Sequence, residues 1–131
     1  MANEAVIIEL PDENAKSFTC ANAIGIEKGA LLWLEEPATV SGAVTAGAPF
    51  GGICASEKVA SDGSTKVAVW KSGVFDLVAE GAVVIGAKVK ISGTNMIATA
   101  TEANIASGYA MGVVEETTSV AEVVRVRVGS F

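Results

Sequence analysis

The stretch EVVRVRV at residues 122–128 decides the fold. In an extended chain successive side chains point to opposite faces, so Val124, Val126 and Val128 line one face while Arg125 and Arg127 line the other. A strand of this kind has one buried face and one wet or interfacial face. AKVKI at 87–91 repeats the device, with Lys88 and Lys90 alternating against Val89 and Ile91. A helix would need its apolar residues every three to four positions instead.

Outward from these two runs, short segments rich in Val, Ile and Ala alternate with turn residues. They are ALLWL at 30–34, ATV at 38–40, GGICASEKV at 51–59, TKVAVW at 65–70, VFDLV at 74–78, MIATA at 96–100 and YAMGVVEE at 109–116. Strand-like runs at this spacing, with Gly, Ser, Asn and Asp between them, specify an all-β protein: a single compact sandwich or barrel-like domain of short strands. Trp33, Trp70, Phe75, Val126 and Val128 are its expected core. Residues 18–26 read as an irregular strand entering the domain, and TEANIAS at 101–107 as a loop or one helical turn. At the N-terminus EAVIIEL (residues 4–10) precedes Pro11 and a polar turn. The division is therefore an N-terminal arm over 1–20 and a β-domain over 21–131.

The chain also matches itself. GALLWL from Gly29 aligns with GAKVKI from Gly86, 57 residues on; GICASE from Gly52 aligns with GVVEET from Gly112, 60 on; VAVWKSG from Val67 aligns with VRVRVGS from Val124, 57 on. Two pseudo-repeated halves of about sixty residues would give such offsets. The alternative is chance matching among Gly-rich strand sequences. Half-units this small would bury too little surface to stand alone, so duplication implies one pseudo-symmetric unit.

Composition narrows the function. Fifteen acidic residues against nine basic ones give a net charge of -6, and no run of Lys or Arg offers a track for phosphates, which argues against nucleic-acid binding. No segment is long and apolar enough for a membrane span. A start of Met-Ala-Asn-Glu lacks the basic and apolar regions of a secretory signal, so synthesis in the cytoplasm is expected. Cys20 and Cys54 are expected to be buried free thiols.

With no His in the chain, Ser-His-Asp and Cys-His nucleophiles are impossible. The carboxylate pairs Glu35-Glu36 and Glu115-Glu116 point to opposite faces of a strand and cannot share acid–base work. Gly81 to Lys88 lacks the Gly-Lys-Ser/Thr ending of a phosphate loop and reads as a strand end with a tight turn. Lys71, Lys88 and Lys90 read as strand lysines. No catalytic residue, metal site or cofactor is expected, and the chain is read as not an enzyme. Sugar stacking on Trp33, Trp70 or Phe75 is the sharper alternative to core packing, but two Trp, one Tyr and four Phe are few for a carbohydrate module.

The runs GALLWLEEPATVSGAVTAGAPFGGICASEKV, VAVWKSGVFDLVAEGAVVIGAKVKI, ASGYAMGVVEET and VVRVRV resemble a family of phage and prophage head proteins. Members are also described as domains of unknown function or as recombinase-like. The shared pattern is a G-V-F-x-L strand, here Gly73 to Leu77, then a strand at Gly86 to Ile91, a return strand at Gly108 to Val114 and a closing V-R-V-R-V at Val124 to Val128. The resemblance covers roughly residues 25 to 128.

It implies a decoration or cement protein, comparable to the lambda-type head-stabilising protein, bound to the outer surface of a phage capsid. The implied partner is the major capsid protein, the implied assembly a homotrimer and the implied location the virion. The arm residues Ala5, Val6, Ile7, Ile8, Glu9 and Leu10 are the expected capsid contact, by strand addition to another chain. An ordinary first strand of the domain is the competing possibility for the arm. The competing function is a virion-associated ligand- or glycan-binding module or fibre base.

Overall fold

Turn residues cut the chain into short strands close to the places read from the sequence. The computed structural model describes residues 3–9, 15–42 and 48–129. Among these lie eleven strands and one helix: β1 (Val6–Glu9), β2 (Lys16–Thr19), β3 (Leu31–Glu36), β4 (Thr39–Gly42), β5 (Phe50–Cys54), β6 (Lys66–Trp70), β7 (Gly73–Ala79), β8 (Lys88–Gly93), β9 (Met96–Thr99), α1 (Glu102–Ala106), β10 (Ala110–Val114) and β11 (Val123–Val128). The protein is all-β, as expected. Alternation sets the facing: Val124, Val126 and Val128 are fully buried while Arg125 and Arg127 are exposed. The single helical turn survives because Thr101 caps it, its hydroxyl accepting from the Asn104 amide at 3.2 Å while Asn104 Oδ1 accepts from the Thr101 amide at 3.0 Å.

The strands close into two five-stranded barrels. Barrel 1 runs β2-β4-β3-β5-β6 and returns to β2. Barrel 2 runs β7-β11-β10-β8-β9, and a parallel pairing of β7 with β9 completes the ring. Barrels this narrow fill their interiors with side chains. Leu32, Val40, Val67, Val69, Cys20 and Cys54 fill barrel 1, and Phe75, Leu77, Val89, Ile91, Val124 and Val126 are central to barrel 2. The compact unit read from the sequence is thus built as two small barrels. β2 lies within the stretch 1–20 that the sequence suggests as an arm, yet it is a full member of barrel 1.

The barrels are copies of one another, at the offsets seen in the sequence. Both have one parallel and four antiparallel pairings in the same order. Leu34 opposes Val40 as Ile91 opposes Ile97, and in both hairpins the register slips after that pair. Leu32 opposes Gly52 as Val89 opposes Gly112, again followed by the same slip. The isolated bridge Ile26–Lys58 recurs as Val83–Thr118. Even the left-handed residue of the β3–β4 turn, Ala38 (φ 53°), has its counterpart Asn95 (φ 54°) between β8 and β9. Matching bulges and bridges at fixed offsets exclude chance matching of Gly-rich strands.

The two barrels meet through the outside of barrel 1. Leu31 and Ile53 point away from their own interior and belong to the buried apolar cluster of barrel 2, with Trp33, Phe50 and Trp70 packed against it. The Leu31 amide donates to Asn95 Oδ1 of barrel 2 at 2.9 Å. Asn95 is 1% exposed, so this bond satisfies groups that water cannot reach.

Candidate functional site

The N-terminal segment is the first candidate, and the structure places it in cis. The Ala5 amide donates to the Gly29 carbonyl of barrel 1 at 2.7 Å. The chain then runs on as β1 along β7 of barrel 2, with Val6 opposite Asp76 and Ile7 opposite Phe75. Gly29 is required here: its φ of +87° favours glycine, and a Cβ would stand 2.7 Å from the Ala5 carbonyl oxygen and 2.8 Å from the Glu4 Cβ. Of the two possibilities raised by the sequence, the described strand takes the role of a first strand paired within its own subunit, stitching the barrels together. Val6, Ile7 and Ile8 remain exposed on it, Val6 at 57%. Leu10 and the Pro11 turn lie outside the described residues.

The second candidate is the outside of barrel 2. Cross-strand partners share a face, so Lys88, Val113 and Arg127 form one outward row across β8, β10 and β11. Lys90 stands beside Ala110 and Arg125 beside Asp76. The pairs Arg125–Asp76 (3.6 Å) and Arg127–Glu115 (3.5 Å) are solvent-exposed ion pairs, which contribute little to stability. Beside the row, Ile85, Gly86, Val113 and the two arginines line a shallow groove of about 580 Å³. Val84, Ile85 and Val123 are more than half exposed, and of these Ile85 lines the groove. The groove is shallow and mixes cations with aliphatic side chains, unlike the enclosed, mostly apolar pocket of a small-molecule site.

Several ionisable groups elsewhere are committed to structure. Lys58, 4% exposed, donates to the carbonyls of Asn22 at 2.8 Å, Ile24 at 2.9 Å and Val59 at 3.2 Å, and pairs with Asp62 at 3.5 Å. It staples a loop, and its counterpart Thr118 does the same with Val120 and Glu122. Lys71 lies 5.0 Å from the centre of the Phe18 ring and donates to the Gly51 carbonyl, and burial pulls its amine down. Glu116 accepts from the Arg125 amide while Glu115 reaches Arg127, so that carboxylate pair is split, by the bend that follows β10 rather than by strand alternation. Cys20 and Cys54 are buried, unpaired thiols. Burial pushes both up, away from the thiolate form that nucleophilic chemistry needs. Among the described residues no three His, Cys, Asp or Glu side chains gather as metal ligands, and no helix is long and apolar enough to cross a membrane.

Phe75, Val126 and Val128 are wholly buried, as expected of core residues. Trp33 and Trp70 are half-buried and pack on the junction cluster rather than inside a barrel. Sequence reasoning missed the junction and Asn95. The signal was available in the repeat itself, since Leu31, Trp33 and Trp70 align with Lys88, Lys90 and Arg127.

Compared with known protein families and with curated proteins, the chain matches no family model and no curated sequence.

Proposed function

We propose that this protein is a structural virion protein, not an enzyme, that binds the outer surface of a phage capsid and stabilises the head as a decoration or cement protein. The observation that carries the reading is the order of the resembling segments. Gly73 to Leu77, Gly86 to Ile91, Gly108 to Val114 and Val124 to Val128 fall on β7, β8, β10 and β11, four strands of one barrel. The same order in the phage head proteins therefore describes a folded unit rather than scattered short matches. Two fused barrels with filled interiors suit a clamp on a pressurised shell, where modest contacts repeated at many equivalent positions become strong collectively. The junction also uses up Trp33 and Trp70, which removes the aromatic platform that a glycan-binding module would need.

The partner is the major capsid protein, the assembly a homotrimer, and no cofactor is involved. The protein is made in the host cytoplasm and acts on the virion. Exposed Val6, Ile7 and Ile8 on β1 supply the shell contact, now as a strand already folded in cis that offers its outer side. Shells assembled from the capsid protein encoded beside this gene, and stripped of decoration, test the reading. Wild-type protein should co-sediment with them, and Val6→Lys/Ile8→Lys should fold yet stay in the supernatant. A wild-type protein that ignores the shells, or a gene set among metabolic genes with no capsid gene nearby, would overturn it.

A further inference from the structure

The loop at Gly29 in barrel 1 and the loop at Gly86 in barrel 2 share one backbone design. Gly29 (φ 87°) donates to the Cys54 carbonyl at 2.8 Å, and Gly86 (φ 89°) donates to the Val114 carbonyl at 2.9 Å. Ala30 donates to Glu27 as Ala87 donates to Val84, and the Cys54 and Val114 amides return bonds of 3.0 Å to the Ala30 and Ala87 carbonyls. Their surroundings differ. Over Gly29 lies the chain's own N-terminal segment: the Ala5 amide donates to the Gly29 carbonyl, Glu4 crowds the space a Cβ would need, and Ala5 packs on the junction cluster that contains Ile53. Gly29 is buried and Gly86 is exposed. Among the described residues no backbone amide donates to the Gly86 carbonyl, and a Cβ on Gly86 would meet no atom within 4 Å.

The groove beside Gly86 is thus the second copy of a seat that is filled in barrel 1. Its lining residues Ile85, Val113 and Val114 stand where barrel 1 has Lys28, Ile53 and Cys54. We propose that this groove takes an extended segment of a partner protein, whose backbone amide donates to the Gly86 carbonyl as Ala5 donates to Gly29. In such recognition the main chain supplies affinity and the flanking side chains set preference.

The occupant follows from the count of seats and from what flanks them. Each copy of this chain has two seats and one N-terminal segment, and that segment is bound to its own Gly29. A second copy could fill the Gly86 seat only by baring its own Gly29, so the occupant comes from a different protein. In barrel 1 Glu27 stands within hydrogen-bonding reach of Glu4. The counterpart of Glu27 is Val84, 62% exposed, and the next residue is Ile85, also 62% exposed. The partner segment therefore carries an aliphatic residue where this chain has Glu4, followed by a small one in the place of Ala5. The seat rests on the repeat alone and does not depend on shell binding.

Backbone amide chemical shifts of the isotope-labelled full chain, titrated with synthetic peptides, test it. The probes are ANEAVII, residues 2–8 of this chain, and the same peptide with Glu4→Leu. So small a contact supports a dissociation constant of about 1 mM, and the shifts should centre on Gly86, Ala87 and Val114. The leucine probe should bind several-fold more tightly than the unaltered one. Gly86→Asn places a residue that tolerates positive φ in open space, so it should fold with little change in thermal midpoint, yet its side chain fills the seat and should weaken binding about tenfold or more. Val84→Glu, at an exposed position, restores the barrel 1 residue and should erase the preference for leucine. No shift at Gly86 with either probe, or binding that survives Gly86→Asn, would overturn the seat. Shifts centred on Gly29, with release of the chain's own segment, would mean exchange of segments between copies and would overturn a separate partner as the occupant.

Discussion

The outsides of β3 and β8 occupy the same place in two copies of one barrel, and they have been put to opposite uses. Leu31 and Trp33 on β3 lie against barrel 2. Lys88 and Lys90 on β8 are half-buried cations on the outside of the molecule. The strands themselves barely differ: both are six residues long, both alternate, and both slip register at the same two places. The backbone of a small barrel is therefore specified by its inward residues and turns, which leaves the outward positions at liberty to make a junction in one copy and a charged outer face in the other. A duplicated barrel needs this asymmetry, because an apolar outer face on both copies would leave one of them bare.

The sharpest way to break the comparison is to place the same charge at one position in both copies. Ile53 is buried in the junction and its counterpart Val113 lies on the outer row. Ile53→Glu should cost about 3–5 kcal/mol, the range for an uncompensated buried charge, and Val113→Glu, which stands between Lys88 and Arg127, should leave the thermal midpoint nearly unchanged. Equal losses would show that the two faces are not differently used. Inside the barrels the contrast runs the other way. Phe75 fills barrel 2 while the matching position on β2, Lys16, is exposed, so Phe75→Ala should cost about 3–5 kcal/mol in denaturant unfolding. A neutral result would contradict the facing of β7.

The two turns give a smaller and more discriminating pair. Asn95→Ala removes the acceptor of the buried Leu31 amide and puts alanine at positive φ, which should cost about 2–3 kcal/mol. Ala38→Asn, the reciprocal change, relieves a left-handed alanine in an exposed turn and should stabilise by up to about 1 kcal/mol. Changes of equal size and opposite sign would mean that Asn95 acts only through its turn and not through the junction. Smallest of all, Arg125→Ala and Arg127→Ala should each change stability by less than about 0.5 kcal/mol, since their ion pairs are exposed; a large loss in thermal unfolding would place them in the core.

Much of this arrangement is legible in the sequence where one strand face is buried and the other wet. EVVRVRV and AKVKI announce their facing because alternation is a local property. The duplication is legible because turn and interior residues recur at nearly fixed offsets. What a strand pairs with is not written locally, so the partner of EAVIIEL, the closure of each ring and the membership of β2 in barrel 1 emerge only from the assembled fold. The sequence reads Trp33 and Trp70 as core, whereas both are half-buried at the junction: a half-buried outward position looks like core until its repeat counterpart is seen to be Lys or Arg.

Chemistry has placed probes on only one side of the junction. The chain has two tryptophans and two cysteines: Trp33 and Trp70 sit at the junction, and Cys20 and Cys54 sit inside barrel 1. Equilibrium unfolding in denaturant can therefore be followed by tryptophan fluorescence for the junction, by thiol labelling for the barrel 1 interior and by far-ultraviolet circular dichroism for all strands together. If the apolar face of barrel 1 welds the repeats into one cooperative unit, the three transitions coincide in midpoint and steepness. A fluorescence change complete at lower denaturant than the loss of strand signal would mean that the barrels part before they melt, and would contradict the junction as the element that holds the fold.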